Sequence, residues 1–366
     1  MKQLTTGGPR EIISTIMLIC LLTSCKPSPP PEPDPIEKVL VAAADLSTYQ
    51  ELSDANVVCY QEDGTEEELL TILYDAGIRT IRLRLWVDPA NGRNGFEEVK
   101  QLSSTLHAQG FKTWISVHYS DTWAHPGQQI TPARWESLNL EDLKDSVYAY
   151  TRKVVMEMEP DYLQLGNELN SGILHPTGDI EYQKQALLGL LEAASSGARS
   201  ASSETQLMIH YAGMGNAVWF FEFIDRIDYD LIGLSYYPIW HGTSLINLYV
   251  TLEDLGESHP DKGVFIAETA YPFTLEWQDS THNSVGCEDQ LILPEYPASP
   301  QGQQDFIRRL KEILKDIEGC QGICYWGTEL VSWQGAQNTV GSTWENQALF
   351  DFDHNALPAL RELGRP

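Results

Sequence analysis

The sequence predicts an α/β chain folded as a single (β/α)8 TIM barrel, and three features carry that expectation. Short apolar runs recur along the chain, helix-forming amphipathic stretches separate them, and polar residues close several of the runs. The eight runs lie at 39–46, 80–87, 113–118, 162–168, 206–211, 231–236, 264–268 and 322–326. Between them, 65–76, 96–109, 140–158, 181–201 and 301–317 read as helices, with Gly77 and Gly110 placed to end the first two. Strands alternating with helices imply a parallel sheet, and eight such units most simply close into a barrel. A doubly wound open sheet would favour a glycine-rich phosphate turn after the first strand, and Ala44-Asp45-Leu46-Ser47 supplies none. A chain of 366 residues suits one barrel domain with some chain to spare.

The spare chain is N-terminal. Lys2 and Arg10 precede an apolar stretch at 12–22, too short to cross a bilayer as a helix but suited to the hydrophobic region of a signal peptide. Leu22-Thr23-Ser24-Cys25 then resembles the bacterial lipobox, in which the cysteine becomes the lipidated first residue. Residues 1–24 are therefore expected to be a lipoprotein signal peptide and Cys25 the lipidation site of an exported protein, anchored at a bacterial outer membrane or cell surface. The proline-rich run after Cys25 is an extended spacer, so 25–36 form the anchor and linker and 37–366 a single domain.

Composition narrows the partners. The 52 Asp plus Glu against 24 Lys plus Arg give a formal net charge of -28, which repels nucleic acid and anionic surfaces but puts no penalty on a neutral polysaccharide. With 10 Trp and 16 Tyr, the chain has many flat apolar faces on which sugar rings stack. Nothing in the chain implies an obligate partner, and a monomer is expected. Export permits disulfides; among Cys59, Cys287, Cys320 and Cys324 no metal-type spacing appears, and mostly buried thiols are expected, with one disulfide left open.

The chemistry is expected at the C-terminal ends of the strands. The fourth run ends Gly166-Asn167-Glu168 and the seventh ends Ala267-Glu268-Thr269. A retaining glycosidase needs two carboxyl groups about 5 to 5.5 Å apart, and glutamates from strands four and seven can meet across a barrel mouth. On the second strand Arg82, Arg84 and Trp86 alternate with Ile81, Leu83 and Leu85, so the first set faces inward. An inward arginine needs a carboxylate partner. Arg84, nearer the mouth, is assigned to Glu268, and Arg82, deeper, to structure. His118, ending strand three, is either a core histidine or a hydrogen-bonding group of the site.

An Asn-Glu pair ending strand four with a Glu ending strand seven resembles the large clan of retaining (β/α)8 glycosidases. That resemblance makes Glu168 the general acid/base, Asn167 a contact to the sugar 2-hydroxyl and Glu268 the nucleophile. It also makes Tyr236 a hydrogen-bond donor to the nucleophile and Trp326 the platform under the sugar. More specifically, His118-Tyr119-Ser120-Asp121-Thr122-Trp123-Ala124-His125-Pro126 is similar to a segment of family 53 endo-β-1,4-galactanases. So are Leu83-Arg84-Leu85-Trp86-Val87-Asp88-Pro89, Gly166-Asn167-Glu168-Leu169-Asn170-Ser171-Gly172 and Trp344-Glu345-Asn346-Gln347-Ala348-Leu349-Phe350-Asp351. His125 departs from the aspartate usual there, which puts in doubt whatever that acid contacts.

The resemblance implies endo-hydrolysis of β-1,4-galactan or arabinogalactan with retention, no cofactor for catalysis, and substrate contacts from Arg84, Trp86, His118, Asp121, Asn167, Tyr236, Trp326 and Trp344. Trp240 is a further stacking candidate, and core packing remains the alternative for each tryptophan. Bacterial members can hold calcium after strand seven, where Asp279 and Asn283 are the candidate ligands; Trp277 stands where an acidic ligand is expected, so a loop without metal stays open. A mannan, xylan or β-glucan hydrolase with the same machinery, and a glycan-binding lipoprotein without catalysis, are the competing functions.

Overall fold

The structure is a computed structural model, and it describes residues 38–366 together with Gly7 and Gly8. Cys25 and the rest of the expected signal segment lie outside the described residues.

Eight parallel strands close into a barrel: β1 (Val41–Asp45), β2 (Thr80–Leu85), β3 (Lys112–Val117), β4 (Tyr162–Leu165), β5 (Gln206–Ala212), β6 (Leu231–Ser235), β7 (Gly263–Thr269) and β8 (Cys320–Tyr325). Each pairs with its sequence neighbours, and β1 pairs with β8 to close the ring. Each strand is followed by a crossover helix: α1 (Leu69–Asp75), α2 (Phe96–Ala108), α3 (Leu140–Met158), α4 (Lys184–Arg199), α5 (Ala217–Phe223), α6 (Leu245–Ser258), α7 (Pro300–Asp316) and α8 (Pro358–Gly364).

Two apolar layers hold this arrangement. Residues such as Ile81, Leu83 and Leu85 point outward and pack under the helices. The barrel interior is floored by a separate cluster that includes Ala43, Trp114, Tyr162, Met208, Phe265 and Cys324. Above that floor the inward positions turn polar, which is where sequence alternation placed Arg82 and Arg84; both are buried. Packing outside the barrel is close enough to demand glycine at Gly197 on α4, where an added Cβ would lie 2.4 Å from the Tyr148 carbonyl oxygen of α3.

Helix ends show the local chemistry. Asn139 caps α3 by accepting from Glu141 N and Asp142 N at 3.0 and 3.1 Å, a bond set that contributes about 1 kcal/mol. Gly77 and Gly110 follow α1 and α2 with φ of 101° and 85°, as expected of helix-ending glycines. Two helices start later than the pattern suggests. Glu66–Glu67 pair antiparallel with Cys59–Tyr60 around a turn in which Asp63 Oδ1 accepts from Thr65 N, so α1 begins only at Leu69. Asp179 Oδ1 likewise captures Glu181 N and Tyr182 N, and α4 begins at Lys184. Cys59, Cys320 and Cys324 are buried free thiols and Cys287 is an exposed one, so the disulfide left open does not form among them.

Candidate active site

The mouth of the barrel holds one connected polar cluster built from seven strands. Its centre is Arg82 on β2, each of whose three nitrogens finds an acceptor. Nη1 donates to Asp45 Oδ2 at 2.7 Å, Nη2 to Glu268 Oε1 at 2.6 Å, Asn167 Oδ1 at 3.0 Å and Ser116 Oγ at 3.3 Å, and Nε to Gln164 Oε1 at 3.2 Å. A guanidinium that is 1% exposed is tolerated there because two carboxylates compensate its charge.

Glu268, near the end of β7, is buried and held from both sides: Arg82 on Oε1 and the Tyr237 hydroxyl on Oε2 at 2.9 Å. Burial, then Glu268 and Glu168, hold the Tyr237 phenol well above its ordinary pKa, so it stays a donor. Glu168 follows β4, and its backbone, at φ 50°, is left-handed, a conformation rare outside glycine. Gly166, two residues earlier at φ 87°, starts that turn. Among the described residues Glu168 receives a single side-chain donor, Ser235 Oγ, 2.6 Å from Oε1.

This asymmetry sorts the two carboxyls. Burial pushes the Glu168 pKa up to about 8, and the negative charge of Glu268 adds to the rise. Burial raises Glu268 as well, but Arg82 and the Tyr237 hydroxyl act in the opposite sense. Of the pair, Glu168 holds the proton and Glu268 the charge, which is the division a shared acid and nucleophile requires.

Both glutamates line a cavity of about 670 Å³, together with Arg84, His118, Asn167 and four tryptophans. Trp123 and Trp240 are exposed, 40% and 56%, whereas Trp344 is buried and packs edge-on to Trp326 with ring centres 4.8 Å apart. A second depression of about 790 Å³ shares Trp123, Trp326 and Trp344 with the first, so the two form a groove longer than one sugar ring.

Several expected residues sit where the sequence placed them. Glu168, Glu268, Asn167, His118, Trp326 and Trp344 all reach the cavity. His118 Nδ1 accepts from Ala124 N at 3.1 Å, which fixes the ring and leaves its proton on Nε2. Asn167 donates one amide hydrogen to the Ala124 carbonyl at 2.9 Å and keeps the other for a ligand.

Four assignments are corrected. The partner of Glu268 is Arg82, not Arg84: the guanidinium of Arg84 lies under Trp123, 3.8 Å from its ring centre, and 4.6 Å from that of Trp86. The tyrosine donor to the nucleophile position is Tyr237, not Tyr236. Ser235 points inward, so alternation sends Tyr236 outward, where its hydroxyl donates to Gly242 O at 3.0 Å. Asp121 accepts from Asp88 N and Ala133 N, each at 2.9 Å, and braces two loops rather than lining the cavity. Trp86 stands behind Trp123, edge to face at 5.7 Å, and supports the wall from outside.

Sequence reading also passed over Ser235, Gln164 and His210. His210 is an inward position of β5 and bonds Ser235 Oγ through Nε2 at 2.9 Å. The signal was present as polar residues in otherwise apolar runs, a combination that a barrel interior tolerates only when each finds a partner.

The two candidate calcium ligands differ in how far their oxygens are engaged within the protein. Asp279 spends Oδ1 on Thr281 N at 2.6 Å and Oδ2 on Ser332 Oγ at 3.0 Å. Asn283 donates to Glu276 O, and only its Oδ1 is left buried and unpartnered. Among the described residues no group of three or more His, Cys, Asp or Glu side chains is placed to hold a metal ion.

Comparison with known proteins covers the same barrel. Positions 41–363 match the model of glycosyl hydrolase family 53. An arabinogalactan endo-β-1,4-galactanase from Cellvibrio japonicus is 33% identical over 343 residues, covering 87% of this chain and 88% of that protein. Among solved structures, the family 53 catalytic domain of Ignisphaera aggregans superposes with a TM-score of 0.82 at 35% identity, over 88% of this chain and 95% of that one. A structure of fungal β-1,4-galactanases gives 0.77 at 26% identity, over 90% of this chain and 100% of the other.

Proposed function

The chain belongs to glycosyl hydrolase family 53, and from that premise we propose that it is an endo-β-1,4-galactanase acting on linear β-1,4-galactan or type I arabinogalactan with retention of configuration. The observation that carries the mechanism is the unequal setting of Glu168 and Glu268 in one cavity. The galactan specificity rests on the relatives, one of them named for that activity. The groove that continues past the cavity suits attack within a chain rather than at its end.

In the first half-reaction the Glu268 carboxylate attacks the anomeric carbon of the sugar at the cleavage point. The glycosidic bond breaks as the ester bond to Glu268 forms, and the proton on Glu168 passes to the departing oxygen. Arg82 and Tyr237 keep Glu268 ionised and aimed until it attacks. The free amide hydrogen of Asn167 faces the 2-hydroxyl, a bond that strengthens as charge develops on the ring. In the second half, water attacks the same carbon, Glu168 takes a proton from it, and the ester bond to Glu268 breaks. Two displacements at one carbon return the β configuration.

The mechanism requires Glu168 to be protonated at the start. Activity on galactan should therefore be lost as pH rises through about 8, the value to which burial pushes Glu168. A kcat/KM profile measured from pH 4 to pH 10 checks this: a basic limb still flat at pH 9.5 would remove Glu168 from the acid role.

The same proposal includes export and membrane attachment through a lipid on Cys25, supported by the apolar stretch at 12–22 and the Leu22-Thr23-Ser24-Cys25 sequence. Cells expressing the full chain should incorporate labelled palmitate into it, and Cys25→Ala should abolish the label. Equal labelling of both would exclude that cysteine.

A further inference from the structure

Behind the cavity wall, a run of side chains with little freedom leads to the acid/base. Trp114 Nε1 and Arg82 Nε can only donate, and both reach Gln164 Oε1 at 3.2 Å. The amide of Gln164 is thereby turned so that its nitrogen faces Gly166 O and Asn167 Oδ1, each at 2.9 Å, and His210 Nδ1 at 3.0 Å. A ring nitrogen that faces an amide N–H accepts from it, which places the one proton of a neutral imidazole on Nε2. Asn167 Oδ1, 3.1 Å from Nδ1, would draw the proton the other way. Arg82 Nη2 already donates to that oxygen at 3.0 Å, and the two hydrogens of the Gln164 amide are taken by Gly166 O and His210 Nδ1, so that pull is weak.

The remaining bonds follow in order. His210 is fully buried; burial first, then the charge of Arg82 and the ring of His241, hold its pKa well below the ordinary value, so the ring is neutral. His210 Nε2 lies 2.9 Å from Ser235 Oγ. A hydroxyl that accepts from that N–H has its own hydrogen free for Glu168 Oε1, 2.6 Å away.

Resting on the acid/base role given to Glu168 above, we infer that His210 and Ser235 are positioning residues that fix the direction of hydrogen bonding into Glu168 Oε1. Oε2 is then the oxygen that releases the catalytic proton and later takes one from water. The Ser235 hydrogen bond persists through both halves of the cycle, and it stabilises the ionised form that must act as base. The other charged and titratable groups facing this chain are Glu268, Arg82 and Tyr237 around Glu168, and Arg82, His241 and His118 around His210.

Two readouts separate a positioning role from simple packing. In the full chain labelled with 15N-histidine, His210 should carry its proton on Nε2. Ser235→Ala should slow galactan cleavage and also move the basic limb of the kcat/KM profile upward by about one pH unit, because ionised Glu168 has lost a donor. The direction follows from the Ser235 bond, which lowers the Glu168 pKa. Ser235→Thr, which keeps the hydroxyl, should return the limb to its original position. A proton found on Nδ1 of His210, or a basic limb unmoved in Ser235→Ala, overturns the inference. Glu168→Gln measured in parallel distinguishes the failures: if it is inactive while the limb stays put, only the relay is wrong, and if it retains full activity the acid/base assignment itself falls.

Discussion

Glu268→Ala is expected to lower kcat on β-1,4-galactan by on the order of 10^4-fold or more while the protein still folds. The carboxylate it removes is the one held by two donors, Arg82 Nη2 at 2.6 Å and the Tyr237 hydroxyl at 2.9 Å, and it lines the cavity. Folding should survive because Arg82 keeps Asp45 as counter-charge. Azide gives the assignment a sign. In Glu268→Ala it can enter the space of the lost carboxylate and attack the anomeric carbon once, giving an α-galactosyl azide. In Glu168→Ala it attacks the glycosyl-enzyme instead and gives the β product. The anomeric configuration of each azide, read by NMR, checks the roles, and exchanged products would exchange the assignments.

Arg82→Met should have the second largest effect, on stability and activity together. Two buried carboxylates, Asp45 and Glu268, would lose their shared cation, a loss that typically costs about 3–5 kcal/mol. Burial already raises the pKa of Glu268, and losing Arg82 would raise it further. That destabilisation is present above the ordinary carboxylate range and fades as pH falls and Glu268 takes up a proton. Urea unfolding at pH 7 and pH 5 should therefore show a larger deficit at pH 7. Activity should fall by on the order of 10^2-fold or more even where the protein is folded, since Glu268 is no longer kept ionised. Arg82→Lys should fold better yet stay impaired, because one ammonium cannot reproduce a fork that contacts Asp45, Glu268, Asn167, Ser116 and Gln164. Wild-type stability in Arg82→Met would show that the cluster is not held by this cation.

Much of this is legible in the sequence. The eight strands fall within the apolar runs to within a few residues, because a strand covered on both faces must be apolar nearly throughout. Glu168 and Glu268 were legible because a carboxylate ending such a run has few other reasons to be there. The partner of Glu268 was not. Which of two inward arginines meets it depends on the stagger between β2 and β7, strands that do not pair and whose relative height no local pattern records. The tyrosine error is different in kind. Leu231 belongs to the barrel floor, and counting by twos from it reaches Ser235 and then Tyr237, so strict alternation would have chosen correctly. Asp121 was misread because a carboxylate in a loop serves equally well to tie down backbone N–H groups, and only the fold shows that Asp88 N and Ala133 N are within its reach.

The central claim is that this barrel cleaves β-1,4-galactan internally through Glu168 and Glu268, and product analysis on polysaccharides tests it most directly. The domain from residue 37 onward would be incubated with linear β-1,4-galactan, mannan, xylan and β-glucan, beside Glu168→Gln and Glu268→Gln. The account predicts short oligosaccharides from galactan alone, appearing first as β anomers by NMR and absent with either variant. Products from mannan, xylan or β-glucan but not galactan, first products of α configuration, or undiminished cleavage by either variant would contradict it.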